Sequence, residues 1–206
     1  NGFVVKYNTS GTFQWHYTLG ALNFSHPATD SSGNLYAGGD EGTLIKFNSS
    51  GVIQWQRNLA GVSVRKCAVA SDDSVYIAGY GPSSNGFIAK YNSSGTLQWQ
   101  RTISRSSGEL YLESIALGPN GDMYVTGREQ ATVATYSNIF SARLPNDGTL
   151  TGTYGVFTYA SSAMTASTPA YSTSAPSFSS ATASLTASTA SLTEQAGTLT
   201  FSKTNI

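Results

Sequence analysis

The chain has 206 residues, a formal net charge of zero and 11% charged side chains, against a usual value of about 25%. No basic stripe argues for nucleic acid and no apolar run approaches a membrane span, so neither nucleic acid binding nor membrane insertion is expected. A single cysteine, Cys67, excludes an intramolecular disulfide framework.

The first predicted element is a β-hairpin. Residues Phe3 to Trp15 read FVVKYNTSGTFQW: an alternating run, a turn through Asn8 and Gly11, and a second alternating run. Asn and Ser bond back to their own backbone in turns, and Gly tolerates positive φ. The phrase recurs as TLIKFNSSGVIQW from Thr43 to Trp55 and as FIAKYNSSGTLQW from Phe87 to Trp99. A worn fourth copy, FSARLPNDGTLTG, runs from Phe140 to Gly152. The turn glycines Gly11, Gly51, Gly95 and Gly148 stand 40, 44 and 53 residues apart. Such periods mark propeller blades or helical arrays, and the hairpin content selects blades. Trp15, Trp55 and Trp99 share one position, which favours packing between repeats over sugar-stacking platforms. Lys6, Lys46, Lys90 and Arg143 keep a cation at another, expected to lay its stem on apolar surface with its head in water.

A second phrase precedes copies two, three and four: ATDSSGNLYAGG from Ala28, AVASDDSVYIAG from Ala68 and ALGPNGDMYVTG from Ala116. Ala28, Ala68 and Ala116 align, as do Tyr36, Tyr76 and Tyr124. It is a further hairpin, and two hairpins per period make a four-stranded blade. The predicted fold is therefore all-β: three complete four-stranded blades, at about 24–58, 64–103 and 110–157, behind a leading half blade. The combined pattern of both phrases resembles the bacterial and viral β-propeller repeat called SBBP, over roughly residues 1–157. It is similar, more loosely, to the tryptophan-bearing repeats of quinoprotein-like propellers. The resemblance implies a propeller and says little about activity, because propellers host many functions. A half blade at the start is expected to belong to a longer polypeptide whose earlier blades precede Asn1; the alternatives are a partner chain that completes the ring and an open arc of blades.

Beyond residue 158 the composition shifts, and 159–206 is expected to be a non-globular assembly tail. Ser, Thr and Ala dominate it. Phe157, Met164, Tyr171, Phe178, Leu185, Leu192 and Leu199 recur every seven residues. A coiled coil is excluded, because one large apolar residue per heptad is too few and Pro169 and Pro176 break helices. What remains is a repeated short strand-and-turn unit, or a ribbon setting one apolar peg every seven residues into a neighbour. Met164, Tyr171, Phe178, Leu185, Leu192 and Leu199 are the expected assembly contacts, with another subunit of a symmetric particle preferred as receptor. Tails of this kind resemble stretches in structural proteins of tailed phages, especially marine ones.

Reactive chemistry is sparse. His16 and His26 have no partner at metal-ligand spacing. No nucleophile elbow, phosphate loop or dinucleotide fingerprint is present. The turns TDSSGN, SDDS and PNGD lack the acidic density of a calcium site and fit ordinary turn chemistry. Cys67, in RKCAVA, fits a buried structural thiol. Asn8, Asn23, Asn48 and Asn92 satisfy N-x-[ST], three of them as the repeat's own turn. No enzyme activity, cofactor or metal is expected. The leading expectation is a virion component of a tailed phage, built from blades with an assembly tail. The alternatives are an extracellular or surface propeller that binds glycan through blade loops and, remotely, a quinoprotein-like enzyme.

Overall fold

The computed structural model describes residues 2–19, 23–131 and 137–169. The chain divides into a compact unit, Asn1–Pro176, and a second unit, Ser177–Ile206; the latter, and with it Phe178, Leu185, Leu192 and Leu199, lies outside the described residues, as does Tyr171. The compact unit thus continues well past the compositional break at 158.

The described fold is all-β. β1 (Gly2–Tyr7) and β2 (Phe13–Leu19) form the leading antiparallel hairpin. β3 (Phe24–Thr29), β4 (Leu35–Gly39), β5 (Thr43–Phe47) and β6 (Ile53–Leu59) form a four-stranded antiparallel meander. β7 (Ser63–Val69), β8 (Val75–Tyr80), β9 (Gly86–Tyr91) and β10 (Leu97–Arg105) repeat it. A parallel bridge between His26 and Lys66 joins the first strands of the two meanders.

The third repeat departs from expectation. β11 (Glu109–Leu117), β12 (Asp122–Gln130) and β13 (Asn138–Pro145) form a three-stranded sheet. The strand after Gly148, β14 (Gly152–Tyr154), pairs with β15 (Phe157–Ser161) instead of β13. The cause is legible in the turn. In the intact hairpins the Asn at the turn's entry donates its N–H across to the exit residue: Asn8 to Thr12, Asn48 to Val52 and Asn92 to Thr96. Its Oδ1 also accepts two backbone N–H groups, as Asn92 does from Ser94 and Thr96. The fourth copy has Pro145 at that place, with neither the N–H nor the carboxamide. Gly148 keeps its left-handed φ of 72°, but the hairpin around it does not close.

β15 pairs with the outer edge of β10, and the short β16 (Ala166–Ser167) pairs with the outer edge of β6. Both meanders, β14, β15 and β16 thereby form one eleven-stranded order.

The core lies between sheet faces, in three layers. Val4 meets Ala37, Ile45 and Phe47 between the leading hairpin and the first meander. Leu44, Leu59, Val64 and Cys67 meet Val75, Phe87, Ala89 and Tyr91 between the two meanders. Tyr76, Ile88 and Ile103 meet Leu110, Leu112, Met123 and Phe140 between the second meander and the three-stranded sheet. Alternate residues of one strand serve opposite layers, as a pleated strand requires: Ile45 and Phe47 face back, Leu44 faces forward.

Candidate functional site

The repeated structure converges on the contact each hairpin makes with the next turn. In each hairpin the ladder slips by one residue beside the lysine, so that Lys6, Lys46 and Lys90 stand opposite Trp15, Trp55 and Trp99. Gln14, Gln54 and Gln98 are the extra residues of this bulge, a device that re-aims a neighbouring side chain. The tryptophan is thereby laid over the turn glycine of the following repeat. A Cβ built on Gly51 would lie 2.7 Å from the Trp15 ring, one on Gly95 2.7 Å from Trp55 and one on Gly148 2.8 Å from Trp99. A Cβ on Gly11 has nothing within 4 Å.

Polar groups seal the same contact. The Trp15 and Trp55 indole N–H groups donate to the carbonyls of Ser49 and Ser93, at 3.3 and 3.0 Å. Two residues beyond the tryptophan, Arg57 donates to Gly95 O and Ser94 O, and Arg101 donates to Gly148 O at 2.6 Å. Each guanidinium also sits over its own tryptophan ring, at 5.4 and 5.8 Å. These arginines were not singled out from the sequence, though the shared QWQR at 54–57 and 98–101 carried the signal. The first copy has Tyr17 instead, its ring 5.1 Å from Phe47.

The tryptophans, intermediate in exposure, pack against the core layers as well as over the next turn: Trp15 on Phe47, Trp55 on Tyr36 and Trp99 on Tyr76. One expectation changes here. The lysine heads do not all reach water. Lys6 donates to Ser49 O at 2.6 Å, Lys90 lies over Tyr76, and Lys46 is buried beside Asp30 at 3.7 Å while donating to Ser93 O. Only Arg143 is widely exposed, paired with Asp122 at 2.7 Å.

Asp30 organises a buried polar knot. Its Oδ1 accepts from the Ser32 and Asn34 backbone, and its Oδ2 from Asn34 Nδ2 at 2.8 Å and Tyr36 Oη at 3.3 Å. Burial pushes this carboxyl upward, but the Asn34 and Ser32 hydrogen bonds and Lys46 outweigh it and hold it below its ordinary range. Asp72 and Asp147 accept from turn groups in the same manner. These carboxylates thus use their oxygens on backbone and side-chain donors of the same turn and the strand that follows it. No cluster of three or more metal-ligating side chains occurs among the described residues. No described helix is long and apolar enough to cross a membrane.

Cys67 is buried against Gly38, and desolvation pushes its thiol up to about 12. It should therefore resist iodoacetamide at pH 8 in the folded protein and react fully in urea; rapid native labelling would contradict its buried placement. Met164 is half-buried and packs on this chain's own middle layer.

An open groove of about 720 Å³ runs beside Trp55, bordered by Asn34, Lys46, Gln54, Arg57 and Ser93. Its lining can offer an aromatic face and several hydrogen-bond donors.

No family model matches the chain, and no curated protein matches it. Among solved structures it is similar to the crystal structure of a protein of unknown function from Bacteroides caccae. That similarity has a TM-score of 0.41 and 13% identity, over 68% of this chain and 67% of the other. It is too slight to bear on function.

Proposed function

We propose that the chain is a structural or interaction protein: propeller-type blades of the SBBP pattern form a scaffold, and the protein works by docking to other subunits of a symmetric assembly. The observation that carries this reading is the face of the leading hairpin. Phe3, Val5 and Tyr7 are 62%, 38% and 54% exposed. The same repeat positions, Thr43, Ile45 and Phe47, then Phe87, Ala89 and Tyr91, are at most 1% exposed against a neighbouring repeat. This face therefore takes a further blade, of the same polypeptide or of another subunit. The tail's resemblance to stretches in structural proteins of tailed phages makes a virion part, in the tail, fibre or capsid surface, the proposed assembly.

The test is the oligomeric state of the full chain by light scattering. A defined oligomer is expected, lost in a Phe3→Ser/Tyr7→Ser variant that still folds. A chain ending at Pro176 should keep its blades and lose assembly; residues up to 167 must stay, because β15 and β16 belong to the sheets. A full chain that stays monomeric at high concentration would overturn the reading. The second reading, glycan binding, rests on the groove at Trp55. Quenching of that indole's fluorescence by an oligosaccharide, abolished by Trp55→Phe, would favour it.

A further inference from the structure

The third repeat leaves the place of one strand open. In the first two repeats the third strand has a fourth beside it, β6 on β5 and β10 on β9. β13 has β12 on one side and, among the described residues, no strand on the other. A cavity of about 450 Å³ lies there, and six consecutive residues of β13, 139–144, line it. Successive strand residues point to opposite faces, so a cavity that touches all six runs along the strand's free edge. The rest of its wall is mainly apolar, with Leu150, Tyr154 and Phe157. Tyr159 lines it too; that residue is 3% exposed, and its hydroxyl has no hydrogen-bond partner among the described residues.

Sheet edges are ordinarily blunted by bulges, lysines or prolines. β13 pairs with β12 without a register shift, holds no lysine, and has its one proline, Pro145, as its last residue. Its one charge, Arg143, is paired with Asp122. The chain's own next strand goes elsewhere, because β14 is paired with β15. That strand also lacks the ring its counterparts carry. Tyr36 and Tyr76 meet Trp55 and Trp99 edge-on, at 5.8 and 5.9 Å. Tyr124 holds the same repeat position and is 43% exposed, and the residue at the tryptophan's sequence position is Gly152.

We propose that the free edge of β13 receives an extended segment of another protein subunit, antiparallel to it, as the fourth strand of the third repeat. The proposal rests on the reading of the chain as an interaction protein and names the kind of segment it binds. The ladder continues the one that β6 and β10 make in the intact repeats, so those strands define the segment's chemistry. It faces residues 139–144 and carries a large apolar residue followed two places later by an aromatic one, as Ile53 and Trp55 do, and Leu97 and Trp99. Main-chain hydrogen bonds hold such a strand, and the cavity beside the edge selects its side chains.

The test uses a fluorescein-labelled peptide of the second repeat's fourth strand, residues 95–105, GTLQWQRTISR, titrated into the full chain. Fluorescence anisotropy should show saturable binding, and hydrogen exchange of the amides of residues 139–144 should slow by about tenfold or more. An added antiparallel edge strand uses only every second N–H for its ladder. Of two peptides N-methylated at alternate residues, one should therefore bind like the parent and the other about tenfold or more weaker. No binding up to about 1 mM overturns the proposal. So does protection confined to other strands, or equal weakening by both methylated peptides. A chain that forms a defined oligomer yet binds no peptide overturns this proposal alone, and a monomeric chain that binds the peptide overturns self-assembly alone.

Discussion

Replacing Gly95 with alanine is expected to destabilise the protein several times more than the same change at Gly11, although both glycines hold the same turn. Their φ angles, 77° and 74°, are left-handed alike. Alanine there costs about 1–2 kcal/mol at either place. The difference lies above the turn. The new methyl at Gly95 would sit 2.7 Å from Trp55 Cδ2 and 3.0 Å from Arg57 Nη2. At Gly11 it meets nothing within 4 Å. Displacing a packed indole adds about 1–3 kcal/mol of overpacking. It also disturbs the Arg57 bond to Gly95 O. Urea denaturation of the two variants reads the contrast directly. Equal losses would show that the tryptophan–glycine contact contributes little. A Trp55→Ala/Gly95→Ala double variant should recover part of the Gly95→Ala loss, since it removes the clash that couples the two sites.

The repeat period, the hairpins, the Asn–Gly turns and the shared tryptophan position were legible in the sequence because each is local. An alternating run reports a strand, and a turn glycine reports positive φ. What was not legible depended on one backbone group or on distant residues. Pro145 looked like a minor variation beside Gly148, yet it removes the N–H that closes the hairpin, and the third repeat loses its fourth strand. Lys46 kept the repeat's cation, but Asp30 replaces what is Ala70 in the next repeat, and only the fold brings that carboxylate to the amine. The edge strands of residues 157–167 were not legible, because their receptor is a sheet edge some 60 to 107 residues earlier, as Ser161 on Arg101 and Ala166 on Leu59 show.

Stability should hold from neutral pH to about pH 9 and then fall steeply toward pH 12. Burial pushes the Cys67 thiol up to about 12 from an ordinary 9.0. Burial likewise pushes Tyr91 and Tyr159 up to about 12 from 10.0, against partial offsets from Arg57 and Arg101. Neither phenol oxygen has a hydrogen-bond partner among the described residues, so a phenolate there would be uncompensated. The sign follows from proton counts. Between the ordinary values and about 12 the unfolded chain has released these protons while the folded chain still holds them. The folded state binds more, so unfolding free energy declines as pH rises. Each such group contributes a slope of up to about 1.4 kcal/mol per pH unit within its window. Cys67 and Tyr91 share the middle layer and Tyr159 lies in the last, so the loss strikes two of the three contacts between sheets. Urea midpoints at closely spaced pH values from 7 to 12 give the curve. Cys67→Ala should delay its onset toward the phenol range, because the thiol titrates first in the unfolded chain. A midpoint that stays level through pH 11 would mean that these three groups are not held in the dry layers assigned to them.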